Sequence, residues 1–169
     1  MEKEGFSIGK SLFEEHLLDE AKSILDTFKE KNIPLLLPID FVCTKDQKDE
    51  SDIVTTDNIP PEYQALDIGP KTIQLFEEEL KKAETILWNG PLGVFESKAF
   101  AKGTFEIAHF ISGLKAITIV GGGDSVAAIH ESGIADKFTH LSTGGGASLE
   151  YIELGTLPGI EALTRKTIT

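Results

Sequence analysis

TIVGGGDSVAAI (Thr118–Ile129) sets a β-branched apolar run against three consecutive glycines and then a stretch with helical character. LSTGGGASLEYI (Leu141–Ile152) repeats the arrangement, and WNGPLGVFE (Trp88–Glu96) closes a third apolar run with a looser Gly-rich turn. A strand that ends in a Gly-rich turn and enters a helix is the building unit of layered α/β folds, and three in a row decide the class.

Outward from these turns the same alternation continues. Leu17, Ala21, Ile24, Leu25 and Phe28 recur at helical spacing and predict a helix that ends before Asn32. The continuous apolar run IPLLLPIDFV (Ile33–Val42) suits a strand covered on both faces, with Pro38 weakening a central place in a sheet. From Cys43 to Gly69 the chain is polar, shows no clear period and reads as a long loop. Ile73, Phe76, Leu80 and Ala83 predict a second helix, ETILWNG (Glu84–Gly90) a strand, and Phe100, Thr104, Ile107 and Ile111 a third helix. KAITIV (Lys115–Val120), a helix from about Ser125, FTHLS (Phe138–Ser142) and a helix from near Ala147 complete the order. The expected fold is α/β: a three-layer, Rossmann-like domain with a mostly parallel sheet and its ligand site at the carboxyl edge of the strands.

Composition narrows the function. A chain of 169 residues, 40% hydrophobic and 26% charged, fits one soluble domain with a real core, and no apolar run approaches a membrane span. The opening MEKEGFSIGK has no signal-peptide character, so the chain is expected to be cytoplasmic. The single cysteine, Cys43, has no partner for a disulfide or a metal and reads as a small apolar residue. A net charge of −12 argues against nucleic acid, whose binding rests on neutralising phosphates with Lys and Arg. A small anion needs local groups that overcome that field.

The glycines supply such groups. Without a Cβ, their backbone N–H can approach an oxyanion closely, and the helix that follows adds unpaired donors and its positive dipole end. One helix end contributes about 0.3–1 kcal/mol, so convergence of two or three is what matters. Asp124 is open to two readings: an N-cap for the helix starting at Ser125, or a carboxylate that holds Mg²⁺ beside a phosphate. Two ordinary nucleotide fingerprints are absent. GFSIGKS lacks the first P-loop glycine, Glu4 standing in its place, and G-x-G-x-x-G breaks at Val126 after Gly121 and Gly123 and at Leu149 after Gly144 and Gly146. The histidines, His16, His109, His130 and His140, share no metal-ligand spacing.

In the order GFSIGKSL, LLPIDFV, LDIGP, WNGPLGVFE, TIVGGGDS, HLSTGGGASLE and LPGIEAL, the chain resembles the phosphoglycerate kinase family along nearly its whole length. The resemblance implies most of the carboxyl-terminal, nucleotide-binding domain of a two-domain enzyme, with residues 1–169 all in that domain. It implies a phosphotransferase of glycolysis that moves a phosphoryl group between 1,3-bisphosphoglycerate and ADP, with Mg²⁺ as the ion of the nucleotide. Asn89 would reach the nucleotide phosphates, Pro91, Gly93 and Val94 would line the adenosine pocket, and Glu96 would accept from the ribose hydroxyls. Gly121, Gly122 and Gly123 would face the transferring phosphoryl group, Asp124 would hold Mg²⁺, and Ser125 would sit at the same helix end. Gly144, Gly145 and Gly146 would present the second helix N-terminus.

The resemblance also implies parts that have no counterpart here. These are the amino-terminal domain that binds 3-phosphoglycerate and carries a catalytic Arg, and a GGAKV stretch with nucleotide-contacting lysines. An Arg that stabilises phosphoryl-transfer charge is worth about 10³–10⁵ in rate, so the chain alone is expected to be inactive. Its expected partners are ADP or ATP, with no nucleic acid and no membrane, and the intact relative is expected to be a monomer. A non-catalytic nucleotide-binding module, an α/β dehydrogenase domain and a purely structural piece stand as alternatives. Apolar surface around Leu157–Leu163 is expected to promote association.

Overall fold

The computed structural model describes residues 7–47 and 50–164. Glu4 and the rest of the opening MEKEGF lie outside them. The chain forms two compact units, one of residues 1–78 and 92–103, the other of residues 79–91 and 104–169.

In the first unit, α1 spans Leu18–Glu30 and ends at Asn32, whose φ of 52° breaks the helix. Its apolar face is as expected in spacing, yet none of its residues is buried. The run Ile33–Val42 does not form the expected strand. A ladder begins only at Phe41, and Ile33, Leu35, Leu37 and Ile39 stand 39–50% exposed. Pro34 and Pro38 each remove a backbone donor from the segment, which discourages a ladder before Phe41.

The expected loop after Cys43 instead contains most of a small antiparallel sheet. Strand β1 (Phe41–Thr44) lies between β2 (Val54–Thr56) and β3 (Gln64–Ile68), with Phe41 opposite both Thr56 and Ile68. Strands of three to five residues are too short to show a period, which is why the sequence hides them. Helix α2 (Pro70–Leu80) follows β3. Its start is capped from a distance: the buried Asp40 carboxyl accepts from the Thr72 N–H (2.7 Å), the Thr72 hydroxyl (2.7 Å) and the Lys71 N–H (3.0 Å). Gly69 leaves room for it, since a Cβ there would overlap that carboxyl.

The second unit holds the expected parallel α/β layer. Strands β4 (Thr85–Asn89), β5 (Ile117–Gly121) and β6 (His140–Ser142) pair in that order and all run the same way. Ile86, Trp88, Thr118 and Val120 alternate onto a buried face, whereas Leu87 and Ile117 on the other remain partly exposed. Helix α3 (Lys102–Ser112) leads to β5, and α4 (Gly123–Glu131) buries Val126, Ala128 and Ile129 while packing on β5 and β6. Helix α5 (Gly145–Leu154) packs on β5, and α6 (Pro158–Thr164) ends the described chain. Between α5 and the sheet an open cleft of about 340 Å³ is lined by Leu87, Ile119, Tyr151, Ile152 and Leu157 among others. Among the described residues no helix is long and apolar enough to cross a membrane.

Candidate anion site at the carboxyl edge

Because β4, β5 and β6 are parallel, the turns that follow them leave the same edge of the sheet. The register sets the three strand ends level, with Asn89 opposite Gly121 and Gly121 opposite Ser142. Each turn is then bonded to the other two. Gly90 N–H donates to Ser125 Oγ (2.7 Å), joining the β4 turn to α4. Gly122 N–H donates to the Ser142 carbonyl (2.9 Å), joining the β5 turn to the end of β6. Asn89 Nδ2 donates to the Gly145 carbonyl (3.2 Å), joining the β4 end to the first turn of α5. The three links form a closed ring.

Both triple glycines straddle a helix start. Gly122 is the residue before α4 and Gly144 the residue before α5, so Gly123, Gly145 and Gly146 are already helical. Each helix therefore begins two residues earlier than the apolar pattern suggests. Gly122 has a φ of 99°, which side chains rarely adopt. A Cβ on Gly145 would stand 2.9 Å from the Gly122 Cα and 3.2 Å from its nitrogen, so the two helix starts meet at bare backbone. No side chain caps either helix. Of the first-turn N–H groups, which a helix cannot satisfy from within, that of Gly145 donates to the Thr143 carbonyl (3.2 Å); others, such as those of Gly123 and Gly146, are left for an acceptor that comes from outside.

Asp124 is not the cap that its position before Ser125 suggests. It lies inside the first turn of α4 and is exposed, making no capping bond. One accessible carboxylate next to unpaired N–H donors suits Mg²⁺ that arrives with phosphates, an ion that needs only one or two carboxylates. Among the described residues no group of three or more His, Cys, Asp or Glu is placed to hold a metal. Ser125, by contrast, is buried, and its oxygen is engaged by Gly90. Ser148, whose hydroxyl donates to the Gly144 carbonyl (2.7 Å), fills the space beside Gly121.

Asn89, Pro91, Gly121–Asp124, Ser125 and Gly144–Gly146 all belong to the second unit. Gly93, Val94 and Glu96 belong to the first. There Val94 N–H donates to the Leu66 carbonyl (2.9 Å), Glu96 is exposed, and Gly93 faces the buried Asp67 so closely that a Cβ would overlap its carboxyl. Asp67 also accepts from Ile68 N–H (2.8 Å) and Gly103 N–H (2.8 Å). The sequence did not single out Gly90, Ser142 or Asp67. For Gly90 the available signal is its place directly after a strand-ending Asn; for the other two only the register reveals it.

The family model for phosphoglycerate kinase matches residues 1–154. The phosphoglycerate kinase of Finegoldia magna is 51% identical over 168 residues, and that of Koribacter versatilis 55% over 171; each match covers 98% of this chain and 42% of the relative. The solved phosphoglycerate kinase of Coxiella burnetii superposes with a TM-score of 0.85 at 39% identity, over 97% of this chain and 43% of that one. The Pyrococcus horikoshii enzyme gives 0.72 at 34%, over 95% and 41%. The chain thus spans about two-fifths of the length of the curated relatives it matches.

Proposed function

The chain belongs to the phosphoglycerate kinase family, and on that premise we propose that the ring of turns in its second unit holds the phosphates of ADP or ATP. One observation carries the reading: two uncapped helix starts meet with Gly122 against Gly145, and no side chain intervenes. Such a surface offers backbone N–H groups to a multiply charged anion in a protein whose net charge of −12 repels it. Gly123 and Gly146 contribute donors, while Gly121, Gly122, Gly144 and Gly145 bring bare backbone to the rim, the N–H groups of Gly122, Gly144 and Gly145 being engaged by Ser142 and Thr143. Asn89 adds a carboxamide at the same rim, and Asp124 a carboxylate for Mg²⁺. The same reading gives Pro91, Gly93, Val94 and Glu96 to the adenosine end.

In the whole enzyme the reaction asks little covalent chemistry of side chains. A β-phosphate oxygen of ADP attacks the acyl phosphate of 1,3-bisphosphoglycerate; the new P–O bond forms as the acyl P–O bond breaks, and a carboxylate leaves. Both attacking and leaving oxygens are anionic at neutral pH, so no general base is required. Mg²⁺, when bound, spreads the charge between phosphate oxygens. The turns hold the phosphates in line and meet the growing charge with fixed dipoles.

Because the chain spans 42% of its relatives, the proposal for it alone is nucleotide binding without turnover. Calorimetric titration with Mg·ADP, with NAD as a control, tests this. Saturable heat with Mg·ADP and none with NAD supports the reading. No heat with either sinks it, and a response to NAD alone favours a dehydrogenase-like site.

A further inference from the structure

Ser125 lies at the helix end to which a nucleotide is assigned, yet its side chain faces away from that role. It is 1% exposed, and its oxygen accepts the Gly90 N–H at 2.7 Å. Gly90 is held at its other end as well, where its carbonyl accepts from the indole N–H of the buried Trp88. Its φ of 102° turns the chain sharply just after Asn89. Nothing lies within 4 Å of a Cβ there, so the glycine is required by conformation and not by space. The turned-out Asn89 then reaches Gly145. A continuous line of contacts therefore runs from the start of α4 through Ser125, Gly90 and Asn89 to the start of α5.

We propose that Ser125 is a positioning residue for the nucleotide phosphates: its hydroxyl hooks Gly90, and through Gly90 sets where the Asn89 carboxamide stands against Gly145. The proposal rests on the phosphate reading of this edge. It differs from a direct contact because the Ser125 oxygen is occupied by the protein itself. Losing the hook leaves a half-buried N–H without its acceptor and frees the turn that carries Asn89. The first turn of α4 keeps its own backbone donors.

The test is carried out on the chain as it is, by amide hydrogen exchange, the Trp88 indole N–H resonance and Mg·ADP affinity in parallel. Ser125→Ala is expected to speed Gly90 exchange at least tenfold, to shift the indole resonance and to weaken Mg·ADP about tenfold. Ser125→Thr, which keeps the oxygen, restores all three. Ser132→Ala removes a hydroxyl bond at the far end of α4, to the Ile129 carbonyl, and is expected to change none of them. If Ser125→Ala does not fold, Ser125→Cys keeps the volume with a weak acceptor and gives the same readout. Unchanged Gly90 exchange and an unchanged indole resonance overturn the hook. Weaker Mg·ADP binding with Gly90 unaltered overturns it in favour of direct contact. If the unaltered chain binds no Mg·ADP, the phosphate reading falls, and exchange at Gly90 still decides whether the hook exists.

Discussion

A methyl group at Gly145 would press on the backbone of Gly122 at 2.9 Å, and neither neighbour is a flexible tip that can swing aside. Gly145→Ala is therefore expected to destabilise the second unit by about 1–3 kcal/mol, the range for overpacked sites. Gly146, the next residue in the same helix, has nothing within 4 Å of a Cβ. Gly146→Ala is expected to be neutral or to stabilise by up to about 1 kcal/mol through the unfolded chain. Urea denaturation of the pair checks both; equal losses at the two positions would contradict the contact. Cys43 offers a separate check. Burial pushes its thiol up to about 11, so Ellman's reagent at pH 8 should react only as fast as the chain opens, and rapid labelling of the native protein would contradict its burial. An unfolded thiol ionises near 8.5, so the stability that the buried Cys43 thiol contributes is present in full below that pH and is lost as pH rises through about 11.

Residue identity alone exposed the triple glycines, because few other roles place three in a row before a helix. It left Asp124 open between a cap and a carboxylate for Mg²⁺, and only the start of the helix at Gly123, which places Asp124 inside the first turn, removes the cap. Ser125 presented the converse difficulty. The sequence places it at the nucleotide's helix end, and only its burial and its distance to Gly90 point to the hook.

Among the elements, α2 owes its start to a residue thirty positions away. Asp40 accepts three hydrogen bonds from Lys71 and Thr72 and is almost fully buried. Asp40→Ala is expected to cost the first unit about 2–3 kcal/mol, because buried donors lose a carboxyl acceptor. Faster amide exchange at Lys71 and Thr72 should accompany the lower urea midpoint. A loss below about 0.5 kcal/mol would mean that the cap is not what anchors α2. The parallel strands β4 and β5 were legible because each is a continuous β-rich run that stops at a turn. The antiparallel strands β2 and β3 were not, for β2 has only three residues, Asp67 interrupts the apolar residues of β3, and both are defined by pairing with β1. The apolar run before β1 erred in the opposite direction: hydrophobicity promised a strand, while its prolines and the absence of a described neighbour left it without a ladder.

At the scale of the whole molecule, charge and exposed apolar surface set the behaviour. Leu17, Leu18, Ile24 and Leu25 of the first unit and Leu149, Tyr151, Ile152 and Leu154 of the second are each 39–64% exposed. Apolar surface on that scale promotes association, so the chain alone should bind a hydrophobic dye and show a concentration-dependent mass by light scattering. A monodisperse monomer without dye binding would contradict this. The net charge of −12 makes a second expectation. A grip made of backbone donors draws little on bulk charge, so raising NaCl from about 20 to 200 mM should change Mg·ADP affinity only a few-fold, since screening also relieves the repulsion. A loss of tenfold or more would point to a lysine-based grip instead.

In the proposed grip, three turns locked together by Gly90, Gly122 and Asn89 present their remaining N–H groups to one set of phosphates. Titration of the ¹⁵N-labelled chain with Mg·ADP measures this most directly. The amides of Gly123, Asp124, Gly146 and Ala147 and the Asn89 side-chain amide are expected to shift together along one saturable curve. Shifts confined to one of the turns, or none at any of them at millimolar Mg·ADP, would contradict it.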